Sequence, residues 1–172
     1  MCLFRRKKND IPPIGKLVYL DSNNSVEDFV DLGLSVKWCS KNVNASNKEL
    51  AGDYFNYDDT IRCGLTLPTV DEVRELFEKC KITYNKKRNG FDVKGVNGNQ
   101  IFIPIGGEKN GNAHYEGGYF WTCSDHEEGY MEGYKYYGCV YVVNRALKKI
   151  KTEVNLLKRD GFWINVREVQ RG

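Results

Sequence analysis

Hydrophobic alternation with a period of two, rather than the 3.6 of a helix, runs through most of this chain and restricts it to a fold built mainly from strands. ITY (82–84), FDVKGV (91–96) and QIFIPI (100–105) read as strands split by Asn-Gly pairs at 89–90 and 97–98. An Asn-Gly pair between two apolar runs is a strong hairpin signal. YFWTCS (119–124), YKYYGCVYVV (134–143), IKTEVNLL (150–157) and FWINVREV (162–169) give four more. In IKTEVNLL, Ile150, Thr152, Val154 and Leu156 alternate with Lys151, Glu153 and Asn155, which fits a strand with one wet face; a helix is the second reading there. LVYL (17–20) is a short strand candidate, and residues 29–43 hold two extended pieces around Gly33, with Val36 and Trp38 on one face.

Only one segment reads convincingly as a helix. Thr69 is a good N-cap, and Glu72 three residues on completes a capping box. Val70, Val73, Leu76, Phe77 and Cys80 then recur at helical spacing as one apolar stripe. Asp71 and Glu72 in the first turn, and Lys79 and Lys81 near the end, suit the helix dipole. The expectation is an α+β fold of mostly antiparallel β-sheets, with one clear helix at about 69–80 and long surface loops.

The chain has 172 residues, which fits one domain. Residues 1–15 read as a basic, flexible leader ending in IPPIG, and 16–172 as a single domain. The net charge of +3 belongs to that leader, where Arg5, Arg6, Lys7 and Lys8 outnumber Asp10. The remainder is balanced, so no overall positive field points to nucleic acid. No apolar run approaches the roughly 20 residues of a membrane helix. MCLFRRKKND places its apolar residues before its basic ones, the reverse of a secretory signal, so the default expectation is a cytoplasmic location. Six cysteines include no CxxC or zinc-knuckle spacing, which argues against structural zinc. Without an export signal, buried free thiols are the favoured state.

Beyond periodicity, the chain carries an ordered motif series: VDLGLSVKW (30–38), GDYFNYDD (52–59), LTLPTVDEVRELF (65–77), NGNQIFIPIGG (97–107), GGYFWTCS (117–124) and GFWINVREV (161–169). The series resembles the Fibrobacter succinogenes major paralogous domain family, a bacterial branch of the C-type-lectin-like fold. The resemblance implies a domain whose first and last strands pair, with a long-loop region as the usual ligand surface. It also implies that a disulfide, if present, joins Cys39 to Cys80 or Cys63, and that relatives are often secreted or surface-exposed. The chain departs from the family pattern in places. Leu65-Thr66-Leu67-Pro68-Thr69 stands where members read WRLPT, Glu168 replaces the proline of VRPV, and the segment before LPT is short. The calcium-binding triplets of sugar-binding lectins are replaced by Ile103-Pro104-Ile105 and Trp121-Thr122-Cys123, which lack the oxygen ligands calcium needs.

Candidate chemistry concentrates in residues 115–141, which hold Tyr115, Tyr119, Phe120, Trp121, Tyr130, Tyr134, Tyr136, Tyr137 and Tyr141. Alternation places Tyr119 and Trp121 on one face and Phe120 on the other. One set serves the core, and the other is either covered by another element or exposed as a recognition surface. The segment 125–133 adds Asp125, His126, Glu127, Glu128 and Glu132. Arg145, Lys148, Lys149, Lys151, Lys158 and Arg159 form a basic stretch. The two would make a polar rim if they met at one end of the sheet. Cys123, Asp125, His126 and Glu127 are a poor zinc set, since His114 and His126 are the only histidines. No family signature pairs Cys123 with either histidine, and GEKNG (107–111) lacks a phosphate-loop context.

The sequence thus leads to a non-catalytic domain that binds a glycan or protein partner, with no cofactor, no metal, no specific nucleic acid and no membrane span. The expected ligand-binding residues are Tyr119, Trp121, Asp125, His126, Glu128, Tyr130, Tyr134 and Tyr136, beside the 106–118 and 125–133 loops. The alternatives are a phage- or surface-type display scaffold and a thiol enzyme at a Cys/His centre.

Overall fold

The computed structural model describes residues 28–108, 117–125, 137–146, 149–158 and 162–172. The leader, LVYL and most of the two expected binding loops lie outside them. Among the described residues, three antiparallel or mixed sheets and two helices make an α+β fold. The strands are β1 (Phe29–Val30), β2 (Lys37–Cys39), β3 (Tyr54–Phe55), β4 (Lys81–Asn85), β5 (Gly90–Lys94), β6 (Gln100–Pro104), β7 (Gly117–Asp125), β8 (Tyr137–Ala146), β9 (Lys149–Lys158), β10 (Ile164–Asn165) and β11 (Val169–Gln170). The helices are α1 (Tyr57–Arg62) and α2 (Val70–Lys79).

Helix α2 starts where its sequence predicts. Glu72 N–H donates to the Thr69 hydroxyl at 3.1 Å, and Thr69 N–H donates to the Glu72 carboxylate at 2.7 Å. Both halves of the capping box are therefore made. Helix α1 is an element the period-based reading misses. Its N-cap is Asn56, whose side chain accepts from Asp59 N–H at 2.8 Å.

The β4–β5–β6 meander agrees with the Asn-Gly signals: Asn89 has φ 54° and Gly98 has φ 90°, the left-handed geometry such turns demand. The largest sheet has the order β3-β10-β7-β8-β9 and is antiparallel except where β10 runs parallel to β7. IKTEVNLL is indeed strand, inside β9, and it is the last strand of this sheet.

The large sheet is covered on both faces. On one face Phe120 and Val143 join Val73 and Leu76 of α2, Phe91 and Val93 of β5, Ile101 and Ile103 of β6, and Trp38. On the other face Trp121 and Val142 join Tyr57 of α1, Cys63, Leu65, Leu67, Phe55, Ile164 and Val166. Burial of these side chains at roughly 25 cal/mol per Å² of apolar surface is the main force holding the layers together.

The segment 162–169 reads as one strand but forms parts of two sheets. β10 pairs with β3 and β7, and β11 pairs with β2. Between them Val166 C=O accepts from Val43 N–H and Glu168 C=O accepts from Cys39 N–H, both at 3.0 Å. Arg167, fully buried, donates to Asn42 Oδ1 from Nε at 2.8 Å and from Nη2 at 2.6 Å. These bonds carry the chain from one sheet to the next. The last strand therefore pairs with β2, which lies between it and β1; the first and last described strands share a sheet without touching.

Candidate functional site

The expected site centres on β7, which is best understood from its backbone. Gly117 through Trp121 pair regularly with Asn144 through Val140 of β8. The register then shifts, and Asp125 pairs with Gly138. Residues 122–124 are thus an irregularity of the bulge type, a device that bends a strand and re-aims the residues beyond it. The bulge is held from outside the sheet. Cys123 N–H donates to Pro68 C=O at 2.9 Å, and Tyr57 O–H donates to Cys123 C=O at 3.4 Å. Pro68 immediately precedes the cap of α2, and Tyr57 opens α1, so both helices brace the strand that leads into the 126–136 segment.

Trp121 corrects the expectation that it contacts ligand. It is fully buried. Its Nε1–H donates to Phe55 C=O at 2.8 Å, and Tyr57 stands edge-on to it with ring centroids 5.5 Å apart. The physical reason is the second covering layer of α1 and residues 63–67, which closes over the sheet face that carries Trp121. Tyr119, on the same face, is half-buried against that cluster and beside Gly117. Asp125 ends β7. His126, Glu128, Tyr130, Tyr134 and Tyr136 lie outside the described residues.

Topology separates residues that are close in sequence. Nine residues long, β7 spans roughly 25–30 Å. The 106–118 loop enters it at Gly117, whereas the 126–136 segment leaves it at Asp125 and rejoins the sheet at Tyr137. Tyr119 therefore sits near the first end and Asp125 at the second. The basic stretch is divided likewise. Arg145, Lys149 and Lys151 belong to the Gly117 end, and Lys158 pairs with Tyr137 at the Asp125 end. The two loops thus join this strand at opposite ends.

At the Gly117 end the loop base is tied closely. Gly107 N–H donates to Gly117 C=O at 3.1 Å, and Tyr54 O–H donates to Gly106 C=O at 2.7 Å. Burial pushes the Tyr54 phenol above its usual range.

Cys39, Cys63 and Cys80 are buried thiols, and Cys123 is an exposed one. Cys39 thus forms no disulfide with Cys63 or Cys80. Partial burial of the sulfur itself, on a residue whose side chain is otherwise exposed, raises the Cys123 pKa, with the charge and hydrogen bond of Arg171 opposing and Glu72 adding to the rise. Arg171 is committed to Glu72, donating from Nε at 2.8 Å and Nη2 at 2.7 Å, and to Leu67 C=O at 3.0 Å. A thiol held above its ordinary pKa is a poor nucleophile near neutrality. Both histidines lie outside the described residues. Among the described residues no group of three or more His, Cys, Asp or Glu is placed to hold a metal ion, and no helix is long and apolar enough to cross a membrane.

Sequence reasoning missed the bracing residues Tyr57 and Pro68. A local sign is the broken alternation at Thr122 and Cys123, but it does not name the partners. Set against known proteins, the chain matches no family model, no curated protein and no solved structure.

Proposed function

We propose that this chain is a C-type-lectin-like domain that binds a glycan or protein ligand and catalyses no reaction. Its ligand surface is the Asp125 end of the large sheet, where the segment carrying His126, Glu128, Tyr130, Tyr134 and Tyr136 connects β7 to β8. The observation that supports this reading is the braced bulge at 122–124. A strand buried on both faces, bent at its end and tied to two helices is a stiff platform, and binding residues commonly sit on loops that such platforms position. The loop composition fits recognition as well. Tyrosines supply large contact area with few rotatable bonds, and the acidic side chains with His126 supply polar contacts. Neither calcium-lectin triplet is present, so binding does not run through a calcium ion held by those triplets. Trp121 and Tyr119 contribute by supporting the platform.

The test is an array of glycans and candidate protein partners, probed with the wild-type chain and with a variant whose residues 126–136 are replaced by a Gly-Ser linker. The proposal expects specific binding that the variant loses while keeping its unfolding temperature. Binding retained by that variant overturns the placement of the site.

A further inference from the structure

We propose that two copies of this chain associate through β9, edge to edge and antiparallel, with Thr152 on the two-fold axis. β9 pairs with β8 at every position from Lys149 to Lys158, without a bulge, and closes the five-stranded sheet. Among the described residues no strand pairs with its other edge. Such an edge presents a row of backbone donors and acceptors that another strand can complete. β4 approaches β9, but Arg145 of β8 lies over the Tyr84 ring with its guanidinium 5.0 Å from the centroid. Ile82 and Tyr84 of β4 pack against the cluster that holds Phe120 and Val143 on one face of the sheet, so β4 lies over that face and not beside the outer edge of β9.

The sequence of β9 selects a second copy as the occupant. A two-fold axis perpendicular to the sheet keeps each residue on its own face, so only positions of equal parity pair. With Thr152 on the axis, Lys151 stands opposite Glu153 of the second copy and Glu153 opposite Lys151. Ile150 stands opposite Val154, and Thr152 opposite Thr152. Opposite charges, threonine pairs and β-branched pairs directly across an antiparallel ladder are each favourable. Moving the axis to Lys151 opposes two lysines, and moving it to Glu153 opposes two glutamates. With Val154 on the axis, the charged pairs are lost. The Thr152 register alone joins opposite charges without a like-charge pair, and it fuses two five-stranded sheets into one. β8 separates the pairing edge from β7, so the dimer does not rest on the proposed ligand surface.

The test is light-scattering mass and sedimentation equilibrium of the full chain across a concentration series. The expected result is a concentration-dependent rise from 19.8 kDa to twice that mass. Lys151→Glu places two glutamates opposite each other at each charged pair and is expected to weaken dimerisation about tenfold or more. Lys151→Glu combined with Glu153→Lys restores opposite charges and is expected to restore the dimer. Circular dichroism of each variant distinguishes loss of association from loss of folding. A wild-type chain that stays monomeric at millimolar concentration overturns the proposal. So does a folded double variant that fails to recover.

Discussion

Replacing Trp121 with alanine separates a core role from a ligand-contact role. The indole is fully buried, donates to Phe55 C=O at 2.8 Å and meets Tyr57 edge-on. Removing a buried aromatic of this size costs about 3–5 kcal/mol through lost burial and the cavity left behind. For a chain of this length that corresponds to a fall of about 6–20 °C in the unfolding midpoint. Trp121→Phe keeps most of the packing but takes away the donor to the Phe55 carbonyl, and about 1–3 kcal/mol is expected. Urea unfolding, monitored by far-ultraviolet circular dichroism, reads both values. If Trp121→Ala unfolds within about 0.5 kcal/mol of wild type, the value typical of a surface site, the argument for a two-sided core around β7 fails.

Single contacts set the other expectations. A Cβ on Gly90 would lie 2.3 Å from Phe102 Cζ and 2.5 Å from the Ile103 carbonyl oxygen, so Gly90→Ala is expected to destabilise by about 1–3 kcal/mol in thermal unfolding. Lys79 and Ser35 donate to the Glu75 carboxylate, and those bonds lower its pKa from 4.5 to about 2. That contribution is complete above pH 4.5 and disappears as pH falls to about 2. After screening of this surface group it amounts to about 1 kcal/mol, so the stability difference between wild type and Glu75→Gln should vanish at the acidic end of a pH series. An alkylating reagent applied to the folded chain should modify Cys123 ahead of Cys39, Cys63 and Cys80, because those three are buried; peptide mass mapping reads the order.

The parts of the fold legible in the sequence are those whose causes are local. Thr69 and Glu72 sit three residues apart and specify where α2 begins without reference to anything distant. Asn89 and Gly98 specify turns because few other residues tolerate their φ values. The alternation of Ile150, Thr152, Val154 and Leu156 favours strand over the second, helical reading, and the segment is strand, inside β9. The illegible parts depend on partners far along the chain. α1 is six residues long, too short for a helical stripe to show. The division of 162–169 into two strands depends on Asn42, Cys39 and Val43, which meet Arg167, Glu168 and Val166 across more than a hundred residues of chain. Alternation correctly divides Trp121 from Phe120, but it carries no information about whether a second layer covers the face. That omission, not the strand assignment, makes Trp121 look like a surface residue.

The division of the candidate site has the same origin. Aromatic and charged residues between 115 and 141 are neighbours in sequence, yet an extended strand carries its two ends far apart. Proximity in sequence across a long strand is a poor guide to proximity in space, whereas two segments that join at adjacent ends of β7 and β8 are necessarily close.

The most direct test of the ligand surface is the affinity of one array ligand for three forms of the chain: wild type, Tyr130→Ala/Tyr134→Ala/Tyr136→Ala, and Cys123→Ala. Measured by calorimetry with and without a calcium chelator, the account predicts that the triple tyrosine variant loses at least a hundredfold in affinity, about 2.7 kcal/mol, at an unchanged unfolding temperature. Cys123→Ala and chelation should leave the affinity as it is. Undiminished binding by the triple variant, or turnover of the ligand that stops with Cys123→Ala, would contradict it.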